Sequence, residues 1–258
     1  MNIGFKINLN LIIILIWTIL CLMFMVQAKS SPSSIVIECD DYKNLEEHML
    51  KISGNINDKR YPYPSKDEEF STFCRNIKTG AKFTKDYTQQ CLQQNPSGKS
   101  ILTIIAYSIT QSAKKYCARR NPKIRKEMIQ IAKCTNPNRK LLTECFQTYL
   151  DRMNLTFKVE PDKNKFPYLC CVTDVLSTCM TEKLRNGNPV CSEEAIDNFQ
   201  KFFGGAMKNA MNFACENFED QQDRCQNMIE KQVKLNGGLP HVQWRTPFTI
   251  LIEFFKTL

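Results

Sequence analysis

The fold class follows from residues 121–150, whose sequence is NPKIRKEMIQIAKCTNPNRKLLTECFQTYL. Asn121-Pro122 is typical of a helix start, because asparagine caps helix N-termini and proline is tolerated in the first turn. A second Asn-Pro pair, at residues 136–137, predicts a turn. Apolar residues recur at helical spacing on both sides of that turn, which predicts two amphipathic helices. They are Ile124, Met128 and Ile131 before the turn, and Leu141, Leu142, Cys145, Phe146, Tyr149 and Leu150 after it.

Helix starts and helical spacing extend along the rest of the chain. Ser65 and Glu68 have the spacing of a capping box, and the apolar residues that follow predict a helix from Phe70. Asn95-Pro96 predicts a turn before a return helix, and further amphipathic segments cover 168–184 and 195–218. Strand patterns are scarce. We therefore predict an all-α protein, a disulfide-braced bundle of about eight or nine helices built from antiparallel helix hairpins.

The N-terminal residues have the organisation of a secretory signal peptide. An apolar run over residues 11–26 follows Lys6, and Val26-Gln27-Ala28 resembles a cleavage site. We therefore expect residues 1–28 to be a signal peptide and the mature protein to be secreted and extracellular. No later segment is long and apolar enough to predict a transmembrane helix. The sequon Asn154-Leu155-Thr156 predicts N-glycosylation of Asn154.

The chain contains 13 cysteines. Cleavage after residue 28 would remove Cys21 and leave an even number, which in an oxidising compartment predicts that all of them form disulfides. Each disulfide would stabilise the fold by about 2–4 kcal/mol, chiefly by restricting the unfolded chain. The cysteines expected to pair are Cys39, Cys74, Cys91, Cys117, Cys134, Cys145, Cys170, Cys171, Cys179, Cys191, Cys215 and Cys225.

The spacing of the cysteines suggests how some of them pair. An antiparallel helix hairpin brings together cysteines that are equidistant from its turn. The bridges predicted in this way are Cys74–Cys117, Cys134–Cys145, Cys179–Cys191 and Cys215–Cys225. The remaining cysteines, which would pair among themselves, are Cys39, Cys91, Cys170 and Cys171.

The cysteines also divide six and six around a polar stretch that contains Pro161. We therefore predict an N-terminal six-cysteine subdomain over 29–153, a linker over 154–165 and a C-terminal six-cysteine subdomain over 166–238. An apolar tail follows over 239–258. This tail either packs onto the bundle or presents a contact for a partner or a membrane surface, and its composition leaves both readings open.

Catalytic chemistry has little support in the sequence. The chain has only two histidines, His48 and His241, and they lie in unrelated segments. Cys170-Cys171 followed by Asp174 is similar to a segment of secreted phospholipases, but those enzymes need a histidine just after the cysteine pair, where this chain has Val172. No paired carboxylate motif stands out. We predict that the protein is not an enzyme and has no catalytic residue, no cofactor and no metal site.

The segment between Lys114 and Lys140 is strongly basic, with ten cations against the single anion Glu127. Such a local field favours anionic surfaces, glycosaminoglycans or acidic partners. A solvated helix face without a partner is the alternative. We do not expect nucleic-acid binding by an exported protein that lacks interleaved aromatic residues. The candidate anion-binding residues are Lys114, Lys115, Arg119, Arg120, Lys123, Arg125 and Lys126.

Several short motifs carry a family resemblance. They are Asp67-Glu68-Glu69-Phe70, Phe73-Cys74, Asp86-Tyr87-Thr88-Gln89-Gln90-Cys91-Leu92 and Tyr116-Cys117. With the later cysteine-rich helices, they resemble a family of secreted, cysteine-rich helical proteins of arachnids and other arthropods whose function is not known. The chain is more distantly similar to insect haemolymph glycoproteins. The resemblance implies an extracellular or haemolymph protein and supplies no catalytic residue.

Together these features predict a secreted, non-enzymatic binding protein of the extracellular fluid or haemolymph. Two alternatives remain. A carrier of a hydrophobic small molecule or lipid would need a buried cavity larger than about 300 Å³. A secreted hydrolase would need a cleft that joins His48 or His241 to a carboxylate.

Overall fold

The computed structural model describes residues 36–118, 121–215 and 222–256. Helices cover most of these residues and no strand occurs among them, so the predicted all-α fold is confirmed. The predicted signal peptide, residues 1–28, lies outside the described part of the chain. The helices are α1 (Tyr42–Ser53), α2 (Phe70–Cys91), α3 (Pro96–Tyr116), α4 (Pro122–Thr135), α5 (Arg139–Val159), α6 (Asp162–Arg185), α7 (Glu193–Cys215), α8 (Gln222–Leu235) and α9 (Pro247–Lys256).

Asparagine-proline pairs begin two of the helices, as predicted. The Asn95 side chain accepts a hydrogen bond from the Gly98 backbone N–H at 2.7 Å at the start of α3. The Asn121 side chain accepts one from Ile124 at 3.2 Å at the start of α4. Each bond satisfies an N–H group that has no partner within its helix, and this fixes the residue at which the helix begins.

The start of α2 differs in detail from the prediction. The Ser65 backbone N–H and hydroxyl both donate to Glu69, at 2.7 and 3.0 Å, so Glu69 rather than Glu68 is the carboxylate that meets Ser65. The reason is that Asp67–Glu69 forms a 3₁₀ turn before the α-helix begins at Phe70. This turn brings Asp67 to the outer side of the bundle, where it contacts α4.

Several helices pack against their neighbours along the chain, and α7, α8 and α9 pack against helices that are more distant in the sequence. Helix α1 packs on α2, α2 on α3, α5 on α6 and α6 on α7, whereas α7 packs across both α3 and α4. The Phe202 ring on α7 meets the rings of Tyr116 and Tyr63 edge-on, with centroids 4.8 and 5.5 Å away. Helix α7 therefore joins the first half of the bundle to the second through buried aromatic contacts.

Six disulfides brace the bundle, and every cysteine predicted to pair does so. The predicted Cys74–Cys117 bridge is confirmed. The other three predicted bridges are wrong, because α4 packs against α7, α5 against α6, and α6 against both α7 and α8, so cysteines on either side of a turn are not opposite each other. Of the four cysteines expected to pair among themselves, Cys39 and Cys91 do so, whereas Cys170 and Cys171 do not. The remaining bridges are Cys39–Cys91, Cys134–Cys191, Cys145–Cys179, Cys170–Cys215 and Cys171–Cys225.

The predicted division into two subdomains is not what the structure has. Residues 154–159 complete α5 and α6 begins at Asp162, so only Glu160 and Pro161 of the predicted linker lie outside a helix. Cys134–Cys191 and Cys145–Cys179 each join the segment 29–153 to the segment 166–238. The described residues from Glu38 onward form one compact unit.

The apolar C-terminal tail packs onto the bundle, which answers the question left open by its composition. Helix α9 lies against α5 and α1 and buries Phe248, Ile252 and Phe255. The Phe254 ring stacks on Phe157 of α5 with centroids 4.4 Å apart. The tail is therefore part of the hydrophobic core, and its apolar face is covered.

Buried carboxyl groups hold the residues just before α9, and we call this arrangement the C-terminal clamp. The Glu46 carboxyl group accepts hydrogen bonds from the Thr246 hydroxyl at 2.6 Å, from the Arg245 backbone N–H at 2.7 Å and from the Thr249 hydroxyl. The Arg245 guanidinium donates to Asp58 at 3.0 Å. A carboxylate at the N-terminus of a helix is favourable because the backbone N–H groups there carry partial positive charge.

Candidate anion-binding surface

One exposed face of α2 carries Arg75, Lys78, Lys82 and Lys85, and the first two of these cations line a groove. Phe73 and Ile77 are buried on the inner face of the helix, so helical periodicity directs Ser71, Arg75 and Lys78 to the outside. These residues line a groove of about 760 Å³, which we call the α2 groove. It is lined by Asp67, Phe70, Ser71, Cys74, Arg75, Lys78, Thr79, Tyr116, Cys117, Ala118 and Arg125.

A second groove, the α4 groove, runs along α4. It has a volume of about 450 Å³ and is lined by Asp67, Pro122, Arg125, Lys126, Ile129, Gln130 and Lys133. The residues of α4 in this set recur at intervals of three or four positions, so they form one stripe on the helix. Arg125 and Lys133 are two turns apart, or about 12 Å along the axis.

The two grooves adjoin each other, because Asp67 and Arg125 line both. These two residues form an ion pair, with Nη1 of Arg125 2.8 Å from Oδ1 of Asp67. The Arg125 side chain is 35% exposed and the Asp67 side chain is 64% exposed. The Arg125 guanidinium also lies over the Phe70 ring, 5.1 Å from its centroid, which limits the orientations of the guanidinium.

Disulfides hold the helices that carry these cations. Cys74 and Cys117 line the α2 groove, and their bridge fixes the first turns of α2 to the end of α3 with the Cα atoms 5.6 Å apart. Cys134, near the end of α4, is bridged to Cys191. The disulfides therefore brace both walls of the two grooves before a ligand binds, which reduces the loss of conformational entropy on binding.

Tyr116 forms part of the wall of the α2 groove at the end of α3. Its side chain is largely buried, and burial raises the pKa of its phenol, with a further contribution from the nearby carboxylate of Glu127. The hydroxyl group therefore stays neutral at physiological pH. The ammonium group of Lys115 lies over the same ring, 5.1 Å from its centroid.

The structure brings together only part of the predicted basic set. Arg125 and Lys126 line the grooves, and Lys133 from the same basic segment joins them. Lys114, Lys115 and Lys123 are exposed but are not among the residues that line either groove. The remaining two predicted residues, Arg119 and Arg120, lie outside the described residues.

Sequence reasoning missed Arg75 and Lys78, the two cations of α2 that line the α2 groove. Their signal was present, because they follow Ser71 at intervals of four and three residues and so share the face opposite the buried phenylalanines. That spacing marks an exposed face on an isolated helix. Only the packing of α2, α3 and α4 shows that this face meets the basic stripe of α4.

The apolar space between α6 and α7 is too small for the cavity that a hydrophobic carrier needs. That space measures about 70 Å³, well below the roughly 300 Å³ that a small-molecule site occupies. It is lined by Thr173, Ser177, Met180, Thr181, Phe199, Gln200, Phe203 and Gly204. The two grooves described above are both larger than this space, and charged residues line each of them.

Only one of the two histidines meets a carboxylate. Nδ1 of His241 lies 3.4 Å from Oδ2 of Asp151, and the His241 side chain is 74% exposed. His48 stacks on Phe83 with centroids 3.9 Å apart, and burial lowers the pKa of its imidazole, with Lys51 adding to the effect. Neither histidine lines the α2 or α4 groove.

Metal and glycan sites can also be assessed from the geometry. Among the described residues, no group of three or more His, Cys, Asp or Glu side chains could hold a metal ion. Asn154, the predicted glycosylation site, is 7% exposed and lies within α5. A glycan needs its asparagine at the surface, so this burial disfavours modification of the folded chain, and glycosylation stays a prediction.

Comparisons with protein-family models, curated proteins and solved structures found no match to this chain. The resemblance to secreted arthropod proteins therefore stays a prediction. None of the helices within the described ranges combines the length and apolar character needed to cross a membrane.

Proposed function

We propose that this chain is a secreted, non-enzymatic binding protein that engages an anionic partner through the α2 and α4 grooves. We refer to the two grooves together as the anion-binding surface. The observation that carries the proposal is the charge of this surface. The cations that line it are Arg75, Lys78, Arg125, Lys126 and Lys133. Asp67 is the only carboxylate among the described residues that line it.

The concave shape of this surface strengthens the argument from charge. Cations on a flat, solvated helix face are screened by salt within about 8 Å at physiological ionic strength. A groove with low-dielectric walls concentrates the field of the same charges and raises the local concentration of anions. The arrangement therefore favours a binding role over the solvated-face alternative.

The cysteines support an extracellular location. Six disulfides in one unit are typical of proteins that fold in an oxidising compartment. The predicted signal peptide at residues 1–28 would direct the chain to such a compartment. An extracellular protein meets anions of several kinds, including sulfated glycans, acidic proteins and the outer surfaces of cells.

The test is retention of the secreted protein on a heparin resin in a salt gradient. The variant R75Q/K78Q removes two cations of the α2 groove. We expect it to elute at lower salt, with the slope of log affinity against log salt reduced by about one to two units, because fewer counterions are released on binding.

The matched control is K231Q/K234Q, which removes two exposed cations of α8 with the same spacing of three residues. We expect it to elute close to the unmodified protein. The proposal is wrong if the unmodified protein is not retained at physiological ionic strength. It is also wrong if the two double variants lose retention equally, since net charge alone would then explain binding.

A further inference from the structure

We propose that the two grooves form one extended site for a linear sulfated polysaccharide, in which Asp67 occupies Arg125 until a sulfate group displaces it. This inference rests on the proposed function and names its ligand class and the residue that regulates affinity. The observations behind it are the placement of the cations, the hydrogen-bonding groups between them, and the geometry of the Asp67–Arg125 ion pair.

The placement of the cations favours a long ligand with repeated negative charges. Arg75 and Lys78 lie on α2 and Lys126 and Lys133 lie on α4, while Arg125 lines both grooves between these two sets. A small anion cannot contact all of these cations, because Arg125 and Lys133 alone are about 12 Å apart along α4. A polysaccharide with a sulfate on successive sugar units can contact all of them at once.

The uncharged residues of the grooves fit a carbohydrate. Ser71 and Thr79 supply hydroxyl groups in the α2 groove, and Gln130 supplies an amide in the α4 groove. These groups both donate and accept hydrogen bonds, as sugar hydroxyls require. The Tyr116 ring forms an apolar part of the wall.

The same grooves are poorly suited to a lipid bilayer. Proteins that bind at a membrane surface insert exposed apolar side chains beside their cations. Among the described residues from Glu38 onward, the exposed large apolar ones lie elsewhere, and none of them lines either groove. They are Ile104, Tyr107, Val159, Val190 and Leu235.

Asp67 has the position of an internal competitor. Its carboxylate bonds to Nη1 of Arg125 at the junction of the two grooves, where the guanidinium is held over Phe70. A guanidinium can bind an oxyanion through two parallel hydrogen bonds, so a sulfate is a suitable replacement for Asp67. Because the ion pair is exposed, breaking it costs little.

The test compares the affinities of D67N and E68Q for a heparin-derived hexasaccharide and dodecasaccharide by calorimetry. Both variants remove one negative charge from the same 3₁₀ turn, but only Asp67 lines the grooves. We expect D67N to bind the dodecasaccharide about threefold to fivefold more tightly than the unmodified protein, which corresponds to the strength of one exposed ion pair. E68Q should differ from the unmodified protein by less than about twofold.

A double-variant cycle isolates the competition at Arg125. In the R125Q background, the D67N substitution should bring no further gain in affinity, because no guanidinium remains for Asp67 to occupy. The unmodified protein should also bind the dodecasaccharide more tightly than the hexasaccharide, and R75Q/K78Q should abolish this difference. Circular dichroism of each variant verifies that the helices are intact.

The outcomes separate the two proposals. If neither oligosaccharide binds at physiological ionic strength, the proposed function itself fails. If both bind but D67N and E68Q have equal effects, or chain length has none, the anion-binding function stands and the extended site is overturned. If vesicles of phosphatidylcholine and phosphatidylserine bind more tightly than the dodecasaccharide, the polysaccharide class is wrong.

Discussion

The anion-binding surface and the C-terminal clamp both pair carboxylates with arginines, but they do so under opposite conditions. Asp67 is 64% exposed and meets Arg125 through one ion-pair contact of 2.8 Å. Asp58 is 6% exposed and accepts bonds from the Arg60 side chain, the Arg60 backbone N–H and the Arg245 side chain. The comparison teaches that burial and the number of donors decide whether such a pair maintains the fold or remains exchangeable with a ligand.

The largest expected effect on stability comes from replacing Glu46 in the clamp. E46A removes the acceptor of the buried Thr246 and Thr249 hydroxyls, which can then bond only to each other, and of the partly buried Arg245 N–H. We expect the free energy of unfolding to fall by about 2–4 kcal/mol, because unsatisfied buried donors retain their full desolvation cost. Urea unfolding at neutral pH measures the loss.

The control for this prediction is E68A, which removes an exposed glutamate from the turn before α2. It should change the free energy of unfolding by less than about 0.5 kcal/mol. A loss below about 1 kcal/mol in E46A would mean that water replaces the carboxyl group at no great cost, and the contrast between clamp and surface would then be weaker than the burial suggests.

Replacing Asp58 is expected to destabilise the fold less, and this loss should depend on pH. Hydrogen bonds from the Arg60 side chain, followed by those from its backbone and from Arg245, hold the pKa of the Asp58 carboxyl well below its usual range. A group whose pKa is lower in the folded chain stabilises the fold above its unfolded pKa, near 4, and this contribution disappears as the pH falls through the folded value. We expect D58N to lose about 1–2 kcal/mol at neutral pH.

The pH series provides the decisive measurement for Asp58. The difference in free energy of unfolding between the unmodified protein and D58N should be widest near pH 7 and should narrow below about pH 4. D174N, which changes an exposed aspartate on α6, should show no such narrowing. A difference that stays constant from neutral to acid pH would show that shape, and not charge, accounts for the role of Asp58.

The fold could be predicted where local chemistry fixes it. The Asn-Pro pairs at 95–96 and 121–122 place helix starts correctly, because capping depends only on residues close in sequence. The Cys134–Cys191 bridge could not be predicted in the same way. It depends on α7 crossing α4, and such packing between distant segments leaves no periodic signal in the sequence.

The same limit on prediction from sequence applies to the candidate site and to the clamp, because both bring together residues that are distant in the sequence. Arg125 and Lys126 were predicted from the density of positive charge in one segment, whereas Arg75 comes from another helix and meets them only in the folded chain. Glu46 carried a signal that could have been used. It lies three and four positions before Met49 and Leu50 on the buried face of α1, and a carboxyl group on an apolar face needs partners.

The smallest expected effect on stability belongs to Asp67, and it makes the contrast with the clamp quantitative. D67N removes the Arg125 ion pair, yet we expect the free energy of unfolding to change by less than about 1 kcal/mol, because exposed pairs contribute little net stability. The same variant should bind sulfated oligosaccharide more tightly than the unmodified protein does. Chemical unfolding of D67N and D58N under identical conditions compares the two pairs directly.

A large loss of stability in D67N would place this ion pair among the structural ones and would contradict its role as a competitor for Arg125. The expected result would distinguish the exposed ion pair from the buried pairs of the clamp. In the clamp, a carboxyl group cannot leave its donors without unfolding part of the chain, because the donors would stay buried. At the anion-binding surface, water or a ligand can take the place of Asp67 at once, so the energy of the pair is available to regulate binding.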